Sequence, residues 1–419
     1  MQKTTTWRRG FASCGLALGL VATCASAGDW AQFMGPTGDG VSPEKGLLRA
    51  WPADGPKVLW RVPLGKGYGG AAVFQGKVYV LDRQVRKRDV VRCFDLATGR
   101  EEWTYAYDCP GSISHDGSRS TPAVTDRFVY TIGPFGHFHC LDRATHHVVW
   151  RKNLLKDYGG KRPHWAVAQS PLLYQDMVIA APQSRRVGVV AYDQATGRER
   201  WRSKPIGPMA YTSPKLVRID GVDQITLLTK DGVTSVRARD GVVLWKYAHY
   251  CKIPIPNVTA LGRGRLFVTG GYKAGSAIIQ VSRRGGRWTV EEVAKIDKIG
   301  SHCHPGLVYR DHIYVLCNTN ERADGLVCFD FEGRLVWQTK RRPYLDKGGS
   351  ILTGDGLIYI MDGRKGELYI VEPSPAGFRS LGRAKLLEGR EIWGPLALAD
   401  GFLVIRDQSQ MKCVDLHAR

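Results

Sequence analysis

Tryptophan recurs along this chain at Trp60, Trp103, Trp150, Trp201, Trp245, Trp288 and Trp337, at intervals of roughly 40–50 residues. A self-similar period of that length means a repeat architecture, in which each unit buries its apolar face only by packing on its neighbours. Five of the tryptophans close a common phrase: CFDLATGREEW (93–103), CLDRATHHVVW (140–150), AYDQATGRERW (191–201) and, more weakly, SVRARDGVVLW (235–245) and CFDFEGRLVW (328–337). The phrase reads as a strand ending at Asp, then a tight turn in which Gly accepts positive φ. The strand that returns carries a Trp wide enough to wedge between sheets.

Upstream of each phrase lies another strand pattern, as in GKVYVLD (76–82), DRFVYTIG (126–133), GRLFVTGG (264–271), DHIYVLC (311–317) and DGLIYIMD (355–362). Before these come short strands opened by small residues and Pro, starting at Gly70, Ser120, Gln169, Thr212, Val258, His304, Ser350 and Gly394. None of the units reads as a helix. The chain finishes on MKCVDL (411–416), a third strand with no returning Trp strand, and opens on KVLWRVPLG (57–65), a Trp strand with nothing before it. Pairing the two completes a blade and removes two exposed sheet edges. The expected fold is therefore all-β, a single eight-bladed β-propeller over 57–419, closed by pairing of N- and C-terminal strands. Seven blades is the alternative, because the units around 278–288 and 368–381 are degenerate.

Residues 1–27 read as a signal peptide: a basic region (Lys3, Arg8, Arg9), an apolar stretch (11–22) and the small-x-small site Ala25-Ser26-Ala27 before Gly28. That implies export to the periplasm or cell envelope, by the general or the twin-arginine route, with no transmembrane span after its removal. Residues 28–56 form an N-terminal extension. Cys93, Cys140, Cys328 and Cys413 occupy the slot two residues before the repeat Asp, where another unit has Ala191, so they are expected as buried packing residues. The formal net charge of +21 is spread over turns with no aromatic stacking sheet or recognition helix, which argues against nucleic acid and leaves anionic glycans or envelope proteins as partners.

Loops that follow the outermost strands run back to the axis of a propeller and line one mouth of its channel. Here they bring cations, imidazoles and flat rings, and the candidate ligand-binding set is Arg119, His164, Trp165, Tyr211, His302, His304, Lys347 and Trp393. Such a funnel suits an anionic, partly planar ligand. His302 and His304 lie two residues apart, the spacing at which a strand points both side chains the same way. They could bridge a metal only with ligands from other blades, and a packing role for them is the simpler expectation. Gly65, Gly67 and Gly70 match a dinucleotide fingerprint in letters alone, since a strand follows where a helix is needed. No catalytic residue set emerges.

The repeats, AYDQATGRERW above all, resemble the pyrroloquinoline-quinone-like propeller family over roughly residues 29–416. The opening DWAQFMGPTGDGVS (29–42) is similar to the start of a group of exported bacterial members. Two branches frame what the resemblance implies. One is the lipoprotein scaffold of the outer-membrane barrel-assembly machine, a non-catalytic ring; the other is the quinoprotein alcohol dehydrogenases, which hold PQQ and calcium in the funnel. The dehydrogenases carry an adjacent cysteine pair, absent here, and a Glu, Asn and Asp around calcium. Asn257, Asp116, Asp297 and Glu391 lie in no matching motif, and only Trp393, Arg119 and Lys347 are offered as quinone contacts. The resemblance therefore implies a non-catalytic binding or assembly platform of the envelope. A divergent PQQ- and calcium-dependent dehydrogenase, or a polyanion- or glycan-binding ring, is the alternative.

Overall fold

The computed structural model describes residues 28–208 and 210–418, together with Met1. The expected signal peptide lies outside the described residues. Thirty-two strands form eight four-stranded antiparallel sheets, and no helix occurs among the described residues. Seven blades are continuous in sequence, from Ala72–Phe74 at the inner edge of blade 1 to Arg379–Lys385 at the outer edge of blade 7. The eighth is composite. Val58–Pro63 supplies its outermost strand beside Gln410–Asp415, with Trp60 opposite Cys413. The expected eight-bladed ring and its closure are what the chain adopts.

The repeat phrase has one structural meaning throughout. Trp60, Trp103, Trp150, Trp201, Trp245 and Trp337 pair with Cys413, Cys93, Cys140, Ala191, Ser235 and Cys328. A β-bulge lies at that point in every blade, bending the outer strand. The small partner residues are all buried, and every described cysteine is a free thiol. Five of these indoles rest on the hairpin of the following blade, whereas Trp245 Nε1 donates to Gln224 Oε1 of its own blade (2.7 Å). Trp60 Nε1 donates to the Leu96 carbonyl (2.7 Å), Trp150 Nε1 to that of Gln194 (2.9 Å) and Trp337 Nε1 to that of Ser374 (2.8 Å). The hairpin is shaped by its Asp, which accepts from the Thr three residues on, as Asp95 does from the Thr98 amide and hydroxyl. A Cβ on Gly99, at φ 70°, would fall 2.6 Å from Trp60 Cγ, so turn geometry and ring contact both require glycine there.

Trp288 is not a repeat tryptophan, which corrects the periodic reading. It pairs with Arg283 beside the long hairpin of blade 5, and Ala294 stands opposite Ile278 in the repeat slot. In blade 7 that slot holds Gly382, opposite Ile370. A Cβ there would meet the indole of Trp51, which comes from the N-terminal extension and packs beside Tyr359 at 6.1 Å between ring centroids. The extension thus supplies the ring that blade 7 lacks.

Residues 28–56 are part of the ring's packing. Trp30 exchanges both backbone hydrogen bonds with Val73, the Val124 amide donates to the Ala31 carbonyl, and Gly40 and Ser42 bond Leu352. Lys215, buried, donates to the carbonyls of Thr37 (2.8 Å) and Gly38 (2.7 Å). Residues 30–42 therefore touch the inner strands of blades 1, 2, 4 and 7, and the segment crosses the axial channel, satisfying backbone groups that those inner edges would leave unpaired. Around the axis the blades are also joined by hydroxyls. Gly70 N donates to Thr121 Oγ1, Thr121 N to Ser170 Oγ, and Ser170 N to Ser213 Oγ. The apolar core lies between adjacent blades, in clusters that each draw on neighbouring sheets.

Candidate functional site

Inter-blade loops converge on one mouth of the channel around a cavity of about 210 Å³. Its wall is aromatic: Tyr68, Trp165, Tyr211, Tyr272 and Trp393 face it, and Phe33 of the channel-crossing segment contributes as well. Of the eight residues expected from sequence, Arg119, Trp165, Tyr211, His302, His304 and Trp393 line it. His164 does not. It stands edge-on to Trp165, 4.9 Å between centroids, and buttresses that ring. Lys347 also stands back from the lining, its Nζ 5.3 Å from the Trp393 ring centroid and 3.0 Å from Asn320 Oδ1.

Tyr68, Phe33, Tyr272 and Asn320 were not anticipated. Tyr68 precedes the glycines at the start of blade 1, and an aromatic residue directly before an inner strand was a readable signal. Phe33 and Tyr272 had none, because one lies in the extension and the other in a hairpin within blade 5. The glycines after Tyr68 serve close packing: a Cβ on Gly70 would fall 2.7 Å from Pro395, in the blade that closes the ring.

Tyr68 organises one side of the cavity. Its hydroxyl donates to Glu391 Oε2 (2.7 Å), its ring stacks on Trp393 (5.6 Å, planes 30° apart), and Arg119 lies over it at 5.4 Å. His115 stands 3.6 Å from the same Glu391 carboxylate. Burial, followed by the hydrogen bond to Glu391, pushes the Tyr68 phenol well above its ordinary value. Arg119 donates from Nη1 to the carbonyl of Gly117 (2.5 Å) and from Nη2 to those of Ser114 (2.8 Å) and His115 (2.6 Å). Three of its five donors are thereby used, and the guanidinium is fixed with two to spare. It forms no ion pair with a described carboxylate, and burial lowers its pKa to about 10.

The histidines opposite are desolvated. Burial, then the charges of Lys347 and His304, takes His302 down to about 3, and its Nδ1 has no partner among the described residues. His304 Nε2 donates to the Trp393 carbonyl (2.9 Å), which leaves Nδ1 as the unprotonated nitrogen. Burial holds its pKa near 4. Burial also pushes the Cys303 thiol up to about 12, so it is a poor nucleophile at neutral pH. The imidazoles are neutral walls here, and no Cys–His couple is poised for chemistry.

A family profile described as outer membrane protein assembly factor BamB matches residues 86–299, half of the chain. The chain belongs to this PQQ-like propeller family. The europium-containing methanol dehydrogenase superposes with a TM-score of 0.66 at 13% identity, covering 91% of this chain and 90% of that one. BamB from Moraxella catarrhalis gives 0.61 at 14%, covering 86% and 100%. The quinohemoprotein alcohol dehydrogenase from Comamonas testosteroni gives 0.63 at 14%, covering 94% and 82%. At such identities the similarity establishes the fold and leaves activity open. No curated protein matches the chain in sequence.

The PQQ-like fold raises the question of a quinone and its calcium ion. Trp393 and Arg119 could face a flat anion, but calcium takes six to eight oxygen ligands that normally include carboxylates. None of the residues lining the cavity is Asp or Glu, and Glu391 nearby is already engaged by Tyr68. The donor set does not fit a calcium-bound quinone.

Proposed function

We propose that the protein is an exported, non-catalytic propeller that serves as a binding platform in the cell envelope, with the aromatic mouth cavity as its recognition site. The observation that carries this reading is Arg119: a guanidinium held by three backbone carbonyls, with two donors free, beside a cavity whose lining has no carboxylate. A fixed cation of this kind costs little reorganisation when it meets an anion. The rings around it offer flat apolar area to whatever carries that anion. The desolvated His302 and His304 and the high-pKa Cys303 offer no activated base or nucleophile, which favours binding over turnover. The ligand this suits is an acidic side chain or chain terminus of an envelope protein. Family membership and the signal-like leader support export.

An anionic glycan is the second reading, favoured by the stacked pair Tyr68 and Trp393, a platform that a pyranose face can cover. The test is a fluorescence titration of the mature protein with acidic peptides and with galacturonate oligomers, alongside dye-linked alcohol oxidation in the presence of PQQ and calcium. Saturable binding that weakens with salt and is lost in Arg119→Ala supports the platform reading, and the better ligand decides between its two forms. Alcohol oxidation abolished by Trp393→Ala would replace it with the dehydrogenase.

A further inference from the structure

The segment that crosses the channel begins at Gly28, against the carboxylate of Asp400 in blade 8. A Cβ built on Gly28 would fall 1.6 Å from Asp400 Oδ1, so the bare Cα lies against that carboxylate, and a larger residue would push the Asp400 side chain away. Bond lengths of about 1.5 Å then keep the Gly28 nitrogen within about 5 Å of Asp400 Oδ1. Among the described residues the Gly28 amide finds no acceptor.

The surroundings are acidic: the charge of Arg143 acts on Asp29, and Asp400 has no ion pair among the described residues. Asp29 Oδ1 accepts from the Gln75 amide (2.8 Å), and Glu44 Oε2 accepts from the Gly401 amide (2.6 Å). Burial, reinforced by the charge of Asp400, raises both carboxyls above their ordinary values. The nearby imidazole of His417 is paired with Asp415 at 2.7 Å. Asp400 is thus the carboxylate here left without a cationic partner among the described residues, and Gly28 follows directly on the small-x-small sequence Ala25-Ser26-Ala27.

We infer that the chain is cut between Ala27 and Gly28, and that the new α-ammonium of Gly28 pairs with Asp400 and anchors the channel-crossing segment. The cut is a hydrolysis by a leader peptidase: the C–N bond breaks, water gives its hydroxyl to the Ala27 carbonyl carbon, and the nitrogen leaves as an amine that is protonated at neutral pH. That charge appears beside the carboxylate without any rearrangement, because Gly28 is already in place. The segment it would hold runs on through Trp30 to Phe33 at the cavity, so processing and formation of the mouth site would be linked through one short stretch of chain. This inference stands apart from the nature of the ligand.

The test uses the full chain expressed in an exporting host. Mass spectrometry of the secreted protein is expected to show a chain beginning at Gly28. Its α-amine, challenged with an amine-reactive acylating reagent at neutral pH, is expected to react several-fold more slowly than in Asp400→Asn, because the ion pair keeps it protonated. Acylated wild type and Asp400→Asn should lose the same few degrees of Tm, and acylating the variant should cost nothing more. A mature terminus elsewhere, equal acylation rates, or additive losses of Tm would each overturn the inference.

Discussion

His146, at φ 65° in the hairpin of blade 2, lies flat on Trp103 of blade 1, with ring centroids 4.6 Å and planes 19° apart. Every other DxATG-type hairpin has glycine at that place, and the ring packs against its bare Cα. Here the chain accepts a left-handed residue, at a cost of about 1–2 kcal/mol, and recovers an aromatic contact of about 0.5–1.5 kcal/mol. His146→Gly should therefore be close to neutral in chemical denaturation. His146→Ala keeps the strain and loses the stack, and should destabilise by about 1 kcal/mol.

Trp51 offers a sharper test of how the extension contributes. It occupies the space that Gly382 leaves in the repeat slot of blade 7. Trp51→Ala opens a cavity between the extension and the ring, and should cost about 2–3 kcal/mol, less than a fully buried indole because Trp51 is half-buried. An unchanged denaturation midpoint would mean that the extension is an appendage.

Lys215 ties the channel-crossing segment to blade 4 through the carbonyls of Thr37 and Gly38. Lys215→Met keeps the stem and removes the donors, leaving carbonyls short of partners at about 1–3 kcal/mol. Amide exchange should accelerate first in residues 37–42, ahead of the blades, since it measures local opening.

Stability should fall as the solution is acidified from pH 7 to pH 4.5. Burial holds His302 near 3, His304 near 4 and His139 near 4, whereas each titrates near 6.5 when unfolded. Below 6.5 the unfolded chain takes up protons that the native ring refuses, so stability present above that value drains away, levelling off only near the native pKa values. A Tm measured across this range should drop, and His302→Gln should flatten the slope. A Tm independent of pH between 7 and 4.5 would contradict the burial of these rings.

The blade count and the closure were legible from residues 57–65 and 411–416, because a strand without a partner at each end can be satisfied in only one way. The cavity was partly legible: Arg119, Trp165, Tyr211, His302, His304 and Trp393 follow strands in register, so the repeat itself delivers them to one mouth. Trp288 misled because a tryptophan near the right spacing in a lengthened hairpin is indistinguishable, in one dimension, from one in the slot six residues later.

The sequence alone determined the ring, since its period is local: each phrase carries its own strand, turn and indole. What it left open was decided by contacts between residues hundreds of positions apart. Trp51 on Gly382, Phe33 at the cavity and Gly28 on Asp400 depend on where a closed ring puts its free inner edges and empty slots. Those vacancies exist only after closure, and the extension, which carries no repeat of its own, is shaped by them.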